Sequence, residues 1–110
     1  MNARPHETDT EKPPTLFEAI EEAVALAQDL AMPPTPAAQG TRLRDELVPA
    51  LLEARLYVEV GQLRRTEVRS GLSRALRSAY RLADADRKYI GLVNRLRVLV
   101  DDADIAARER

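Results

Sequence analysis

Four apolar patterns, each repeating at intervals of three and four residues and separated by proline, glycine or aspartate, constrain this chain more than any other feature. Side chains at that spacing line one face of a helix, and such a face must be buried against another. The first pattern follows Thr15 and holds Phe17, Ile20, Val24, Ala27 or Gln28, and Ala31, widened by Ala23 and Leu30. Thr15 with Glu18 makes a capping box, each side chain reaching the other residue's free backbone N–H. Glu18, Glu21 and Glu22 put negative charge where the helix dipole favours it. Pro33 and Pro34 end the element, so a helix is predicted over about 15–32.

Residues 33–40 then form a connector of ordinary length for adjacent helices. A second helix is predicted over about 41–60, with Leu43, Leu47, Leu51, Ala54 and Val58 on one stripe and Leu52, Leu56 and Val60 on another. Pro49 removes a helical hydrogen bond, and it either kinks this helix or splits it. The main stripe keeps its phase across Pro49, which favours one kinked, continuous helix. Leu56 to Val60 alternates as a strand would, yet the helical phase runs through it, and Gly61 offers a stop. A third helix is predicted over about 66–83, with Val68, Leu72, Leu76, Ala79 and Ala83 on its apolar face. Asp84 or Asp86 caps a fourth over about 86–107, carrying Tyr89 or Ile90, Val93, Leu96, Val100 and Ala103. Four amphipathic helices of about 18 residues, each roughly 27 Å long, joined by short links, predict an all-α, up-down-up-down four-helix bundle over residues 15–110.

Residues 1–14 have no large apolar side chain after Met1 and mix Arg4, His6, Glu7, Asp9, Glu11 and Lys12 with three prolines. Burial there cannot offset the entropy of ordering, so a disordered tail is expected. The segment lacks the apolar stretch of a signal peptide, and no run approaches the roughly 18 apolar residues of a membrane span. A cytoplasmic protein is expected.

The inventory for catalysis is sparse. There is no cysteine, which removes disulfides, thiolate metal sites and cysteine nucleophiles together. The single histidine, His6, reads as a solvated tail residue rather than a ligand or base. Asp101, Asp102 and Asp104 lack the glycine turn and distal glutamate of a calcium loop, and read as a solvated acidic patch. Ser70, Ser73 and Ser78 have no histidine partner, and four scattered glycines make no phosphate-cradling loop. The expectation is a protein that is not an enzyme, with no cofactor, no metal and no small-molecule substrate.

Arginine is the strongest signal outside the core. The net charge of −1 conceals a basic middle: between Thr41 and Val100, thirteen Arg/Lys face seven Asp/Glu, while both ends are acidic. Six arginines (Arg64, Arg65, Arg69, Arg74, Arg77, Arg81) and one acid, Glu67, fall between Arg64 and Arg81. Arg74, Arg77 and Arg81 share one helical face beside the apolar stripe. Guanidinium groups bind phosphate and carboxylate in bidentate fashion and stay charged when partly desolvated. The face therefore suits a nucleic-acid backbone or an acidic protein surface. A solvated helix face is the plain alternative, since arginine outnumbers lysine fifteen to two, as a GC-rich coding sequence would also produce. Tyr57, Tyr80 and Tyr89 have the rings to stack bases, although half-buried core tyrosines are the commoner case.

The order of these features resembles the four-helix-bundle family of the accessory variability determinant of diversity-generating retroelements, and the related proteins encoded in intervening sequences of bacterial ribosomal RNA genes. Four stretches carry the likeness: Leu16-Phe-Glu-Ala-Ile ahead of a proline-containing link, Gly40-Thr-Arg-Leu-Arg44, Leu51-Leu-Glu-Ala-Arg-Leu-Tyr57, and Leu72-Ser-Arg-Ala-Leu-Arg-Ser-Ala-Tyr-Arg-Leu-Ala83 leading to a helix with Tyr89. It spans roughly residues 15–103 and implies a homo-oligomer, pentameric in its known form. Such an assembly docks on a retroelement reverse transcriptase and helps it engage structured RNA. On that resemblance Arg42, Arg44 and Arg55 match recurrent basic positions, and Arg74, Arg77 and Arg81 match a basic third helix. The slightly acidic net charge departs from the basic family. A homo-oligomeric protein–protein adaptor without a nucleic-acid role is the second expectation, suggested by the extra stripe Leu52/Leu56/Val60.

Overall fold

The computed structural model describes the backbone of residues 15–60 and 65–108, with side chains for residues 15–59 and 66–104. The tail expected over residues 1–14 lies outside the described residues. Among those described there are helices and no strands.

Helix α1 spans Leu16–Leu30. Its capping box forms as the sequence predicts: the Glu18 N–H donates to Thr15 Oγ1 at 3.1 Å, and the Thr15 N–H donates to Glu18 Oε1 at 3.0 Å. These bonds satisfy two backbone donors that the first turn leaves free. Ile20, Ala23, Val24 and Ala27 face the core. In the link that follows, the Thr35 hydroxyl donates to the Leu30 carbonyl, tying the connector to the end of the helix.

Helix α2 is continuous from Ala37 through Val60 in three registers: α-helical Ala37–Arg42, a π turn at Leu43–Leu47, and α-helical Val48–Val60. It begins a turn before Thr41, directly after Pro36, whose fixed φ and extended ψ set up the entry. Within the π turn, the Val48 N–H donates to Leu43 O, five residues back. This is how Pro49 is accommodated. A proline ring inside an α-helix collides with the carbonyl four residues earlier, here that of Asp45. A turn widened just before the ring relieves that clash, so the helix continues. A wider turn also keeps side chains four apart in line, and Leu43, Leu47 and Leu51 are all fully buried.

Helix α3 spans Arg65–Ala85. Its buried face is centred on Val68, Leu72, Ala75, Ala79 and Leu82, with Leu76 and Ala83 at its edge. The predicted face is therefore turned by a fraction of a helical turn. At Gly71 the helix lies against α2: a Cβ there would sit 3.0 Å from Ala50 O and 3.1 Å from Ala54 Cβ. Asp86 caps the next element, accepting from the Lys88 N–H at 3.0 Å. A short 3₁₀ turn, Arg87–Tyr89, leads into helix α4, Ile90–Arg108. Tyr89 rather than Ile90 enters the core, and its hydroxyl donates to Gln39 Oε1 at 2.9 Å.

Consecutive helices pack side by side and α4 returns against α1, closing a ring of four. This is the all-α four-helix bundle expected from the four patterns. Its core is built of leucine, alanine, valine and isoleucine from every helix. No helix among the described residues is long and apolar enough to cross a membrane.

Candidate functional site

The arginines that stood out in the sequence divide into three groups. Four are closed on the protein's own carboxylates. Arg42 meets Glu46 at 2.7 Å within α2, and Arg69 meets Asp104 at 2.6 Å between α3 and α4. Arg74 meets Glu53 at 2.8 Å between α3 and α2. Arg55 meets Glu21 at 3.4 Å and also lies over the Phe17 ring, 5.7 Å from its centroid. Three of these pairs join different helices. Exposed pairs of this kind contribute at most about 1 kcal/mol each, yet each guanidinium has a carboxylate that an incoming anion would have to displace.

The second group has no ion pair or side-chain hydrogen bond among the described residues. Arg77 and Arg81 project from α3 in this state, both exposed. Arg44 folds back along α2, and a Cβ at the buried Gly40 would come within 3.0 Å of its Nη1. The third group is Arg64, which lies outside the described residues, and Arg65, whose side chain does. The structure thus keeps Arg74, Arg77 and Arg81 on one face, as their spacing predicts, and neutralises one of the three.

Arg77 and Arg81 border a groove of about 350 Å³ between α2 and α3. Arg74, Arg77, Ser78 and Arg81 form its α3 wall, and Asp45, Glu46, Pro49, Ala50 and Glu53 form its α2 wall. Opposite charges face each other across it, but only the Arg74–Glu53 rung is closed. Glu46 is bound to Arg42, whereas Asp45 has no partner among the described residues. Ser78, only 6% exposed, holds the one buried side-chain polar atom without a hydrogen-bond partner among the described residues. A buried polar atom of this kind calls for a partner, which a water or a ligand can supply.

The remaining candidates fall outside this groove. Tyr89 is fully buried and serves the core, while burial and the nearby Asp86 push its hydroxyl above the ordinary tyrosine range, with the Thr35 hydrogen bond opposing. Tyr57 is half-buried and Tyr80 is 45% exposed, so Tyr80 has the ring surface a base would need. Asp101 and Asp102 are exposed, while Asp104 is spent on Arg69. Among the described residues no three histidine, cysteine, aspartate or glutamate side chains are grouped to hold a metal ion.

Sequence reasoning missed Asp45, Glu46, Glu53 and Ser78 as one wall or another of a shared cleft. Their juxtaposition depends on the register of α2 against α3, which no local spacing encodes. It also missed Arg87 and Arg97, which are exposed without an ion pair among the described residues and stand apart from the Arg64–Arg81 cluster. No protein-family model matches this chain, and neither the curated proteins nor the solved structures compared with it gave a match.

Proposed function

We propose that this chain is a non-catalytic binding protein that offers a small set of open guanidinium groups to an anionic partner. The form suggested by the family resemblance is an accessory protein of a retroelement reverse transcriptase, contacting the enzyme, its structured RNA, or both. The observation that carries this reading is the state of Arg77 and Arg81: exposed, one helical turn apart on a rigid helix, and unpaired among the described residues. Guanidinium groups so placed suit phosphate oxygens.

The same geometry sets the scale of the interaction. If all nine candidate arginines met phosphates of a single strand, the logarithmic salt slope would be about −6; the three open ones, Arg44, Arg77 and Arg81, give about −2. Filter binding of structured RNA at two salt concentrations measures this. Retention at low salt that weakens with the shallower slope supports the reading. No retention at low salt refutes the nucleic-acid half of it, and leaves an acidic protein surface as the ligand.

A second reading rests on a separate observation. Leu52 and Leu56 lie 37% and 53% exposed one turn apart on α2, outside the core. Leucines in that position fit a helical adaptor that self-associates, or docks a partner helix, with no nucleic-acid role. Light scattering discriminates: a homo-oligomer that ignores RNA favours this second reading, and a pentamer fits the resemblance.

A further inference from the structure

We infer that the groove between α2 and α3 seats a terminal phosphate, a phosphomonoester dianion carried on the end of an RNA strand. The inference rests on the proposed reading that the chain binds nucleic acid, and it names the part of the strand recognised.

Three independent features converge on this groove. Arg77 and Arg81 are its two open guanidiniums, i and i+4 on one wall and so within 5–6 Å of each other at Cβ by helical geometry. Between them in sequence, on the same wall, Ser78 holds a buried hydroxyl with no hydrogen-bond partner among the described residues. With the Ser78 side chain turned toward the groove, a phosphate oxygen placed against Arg77 and Arg81 offers that O–H an acceptor. The opposite wall has the reverse character. Pro49 has no N–H to give, so a carbonyl of the preceding turn lacks its usual intrahelical donor, and Asp45 adds a carboxylate with no partner among the described residues. One wall donates and the other accepts.

A ligand that fills such a cleft carries acceptors at one end and hydrogen-bond donors at the other. A terminal nucleotide does: its phosphate oxygens accept, and its sugar hydroxyls and base amino groups donate. The volume of about 350 Å³ falls at the small end of ligand sites, the scale of one nucleotide rather than several. The carboxylates decide between a strand end and a strand interior. A polyanion threaded along the groove would pass Asp45, Glu46 and Glu53. A strand that ends there brings to Arg77 and Arg81 the extra charge of a monoester, about −1.5 to −2 near neutral pH, and then leaves the groove. Free mononucleotides share this chemistry, so the test separates the two sources.

Calorimetric titration of the full chain compares a 5′-phosphorylated tetranucleotide, the same oligonucleotide with a 5′-hydroxyl, guanosine 5′-monophosphate and inorganic phosphate. The phosphorylated strand is expected to bind roughly tenfold or more tightly than its 5′-hydroxyl counterpart. That advantage disappears in Arg77→Gln/Arg81→Gln, shrinks in Ser78→Ala, and persists in Arg87→Gln/Arg97→Gln, which removes two equally open arginines elsewhere. Circular dichroism of each variant confirms that the bundle is intact. Guanosine 5′-monophosphate binding as tightly as the phosphorylated strand assigns the seat to free nucleotides, with the phosphate chemistry upheld. Equal binding of the two oligonucleotides, equal loss in both arginine double variants, or no binding of any probe at millimolar concentration overturns the inference. If both oligonucleotides bind alike and structured RNA still binds, the terminal seat fails while the RNA reading stands. If the phosphorylated probes bind and structured RNA does not, the seat stands and the RNA reading fails.

Discussion

Replacing Gly71 and Gly91 by alanine, one at a time, is expected to move stability in opposite directions. Both glycines lie in helices, where alanine is favoured over glycine by about 0.5–1 kcal/mol. At Gly91 a Cβ would meet nothing within 4 Å, so that gain is realised. At Gly71 the same atom would sit 3.0 Å from the Ala50 carbonyl oxygen and 3.1 Å from the Ala54 Cβ. Neither neighbour is the end of a flexible chain; both belong to the body of α2, and the two helices must part by a few tenths of an ångström. Overpacking of this sort costs about 1–3 kcal/mol. The propensity gain offsets part of it, leaving Gly71→Ala about 0–2 kcal/mol less stable than the parent. The predicted gap between the two variants is thus about 1–3 kcal/mol, and for a domain of this size each kcal/mol shifts Tm by about 4–8 °C. Thermal unfolding followed by circular dichroism reads it directly. If Gly71→Ala stabilises as much as Gly91→Ala, α2 and α3 do not approach at this point, and the groove above it is misplaced. If Gly91→Ala destabilises, the outward face of α4 is covered by another molecule, as a second copy of the chain would do.

Three further outcomes follow from the packing. Thr15→Ala removes the hydroxyl half of the capping box and is expected to cost about 0.5–2 kcal/mol in chemical denaturation; no change would mean that α1 does not start there. A double-mutant cycle on Arg74 and Glu53 should give a coupling of no more than about 1 kcal/mol, because both side chains are substantially exposed; a much larger value would indicate that the groove is closed to solvent. Tyr89 has a hydroxyl held above its ordinary value of 10.0, chiefly by burial. Its folded form therefore keeps the proton longer than the unfolded chain does, so the stabilisation is complete below pH 10 and is lost as pH rises through the folded value. Tyr89→Phe should be less sensitive to pH above 10, and equal alkaline sensitivity in both proteins would contradict the buried environment.

The class of fold was legible because each helix declares its own buried face at a local spacing, and Thr15, Asp86 and the prolines mark the ends chemically. Two departures show where local reading stops. Pro49 announces that the helix must adjust, but whether by a kink, a break or a π turn depends on Leu43, Leu47 and Leu51 competing for the same core. The face of α3 shifted toward Ala75 and Leu82 because small residues allow the close approach at Gly71, and closeness between helices is absent from either helix read alone. The candidate site was visible only in part for the same reason. Arg74, Arg77 and Arg81 share a face by simple periodicity. Whether each finds a carboxylate depends on a partner far away in sequence and brought close only by helix register, as Arg74 with Glu53 (21 residues apart) and Arg69 with Asp104 (35 residues apart) demonstrate. Periodicity places a charge; tertiary register decides whether it is free.

The central claim is that Arg77 and Arg81 remain open to an anion while their neighbours are already paired. The most direct test is the salt dependence of RNA binding for the parent chain and for Arg77→Gln/Arg81→Gln, measured across the same range of monovalent salt. The account predicts that the double variant binds more weakly and that its logarithmic slope is shallower by about 1.4, two phosphate contacts on a single strand. An unchanged slope and affinity would contradict it, since the open guanidinium pair would then take no part in holding the anion.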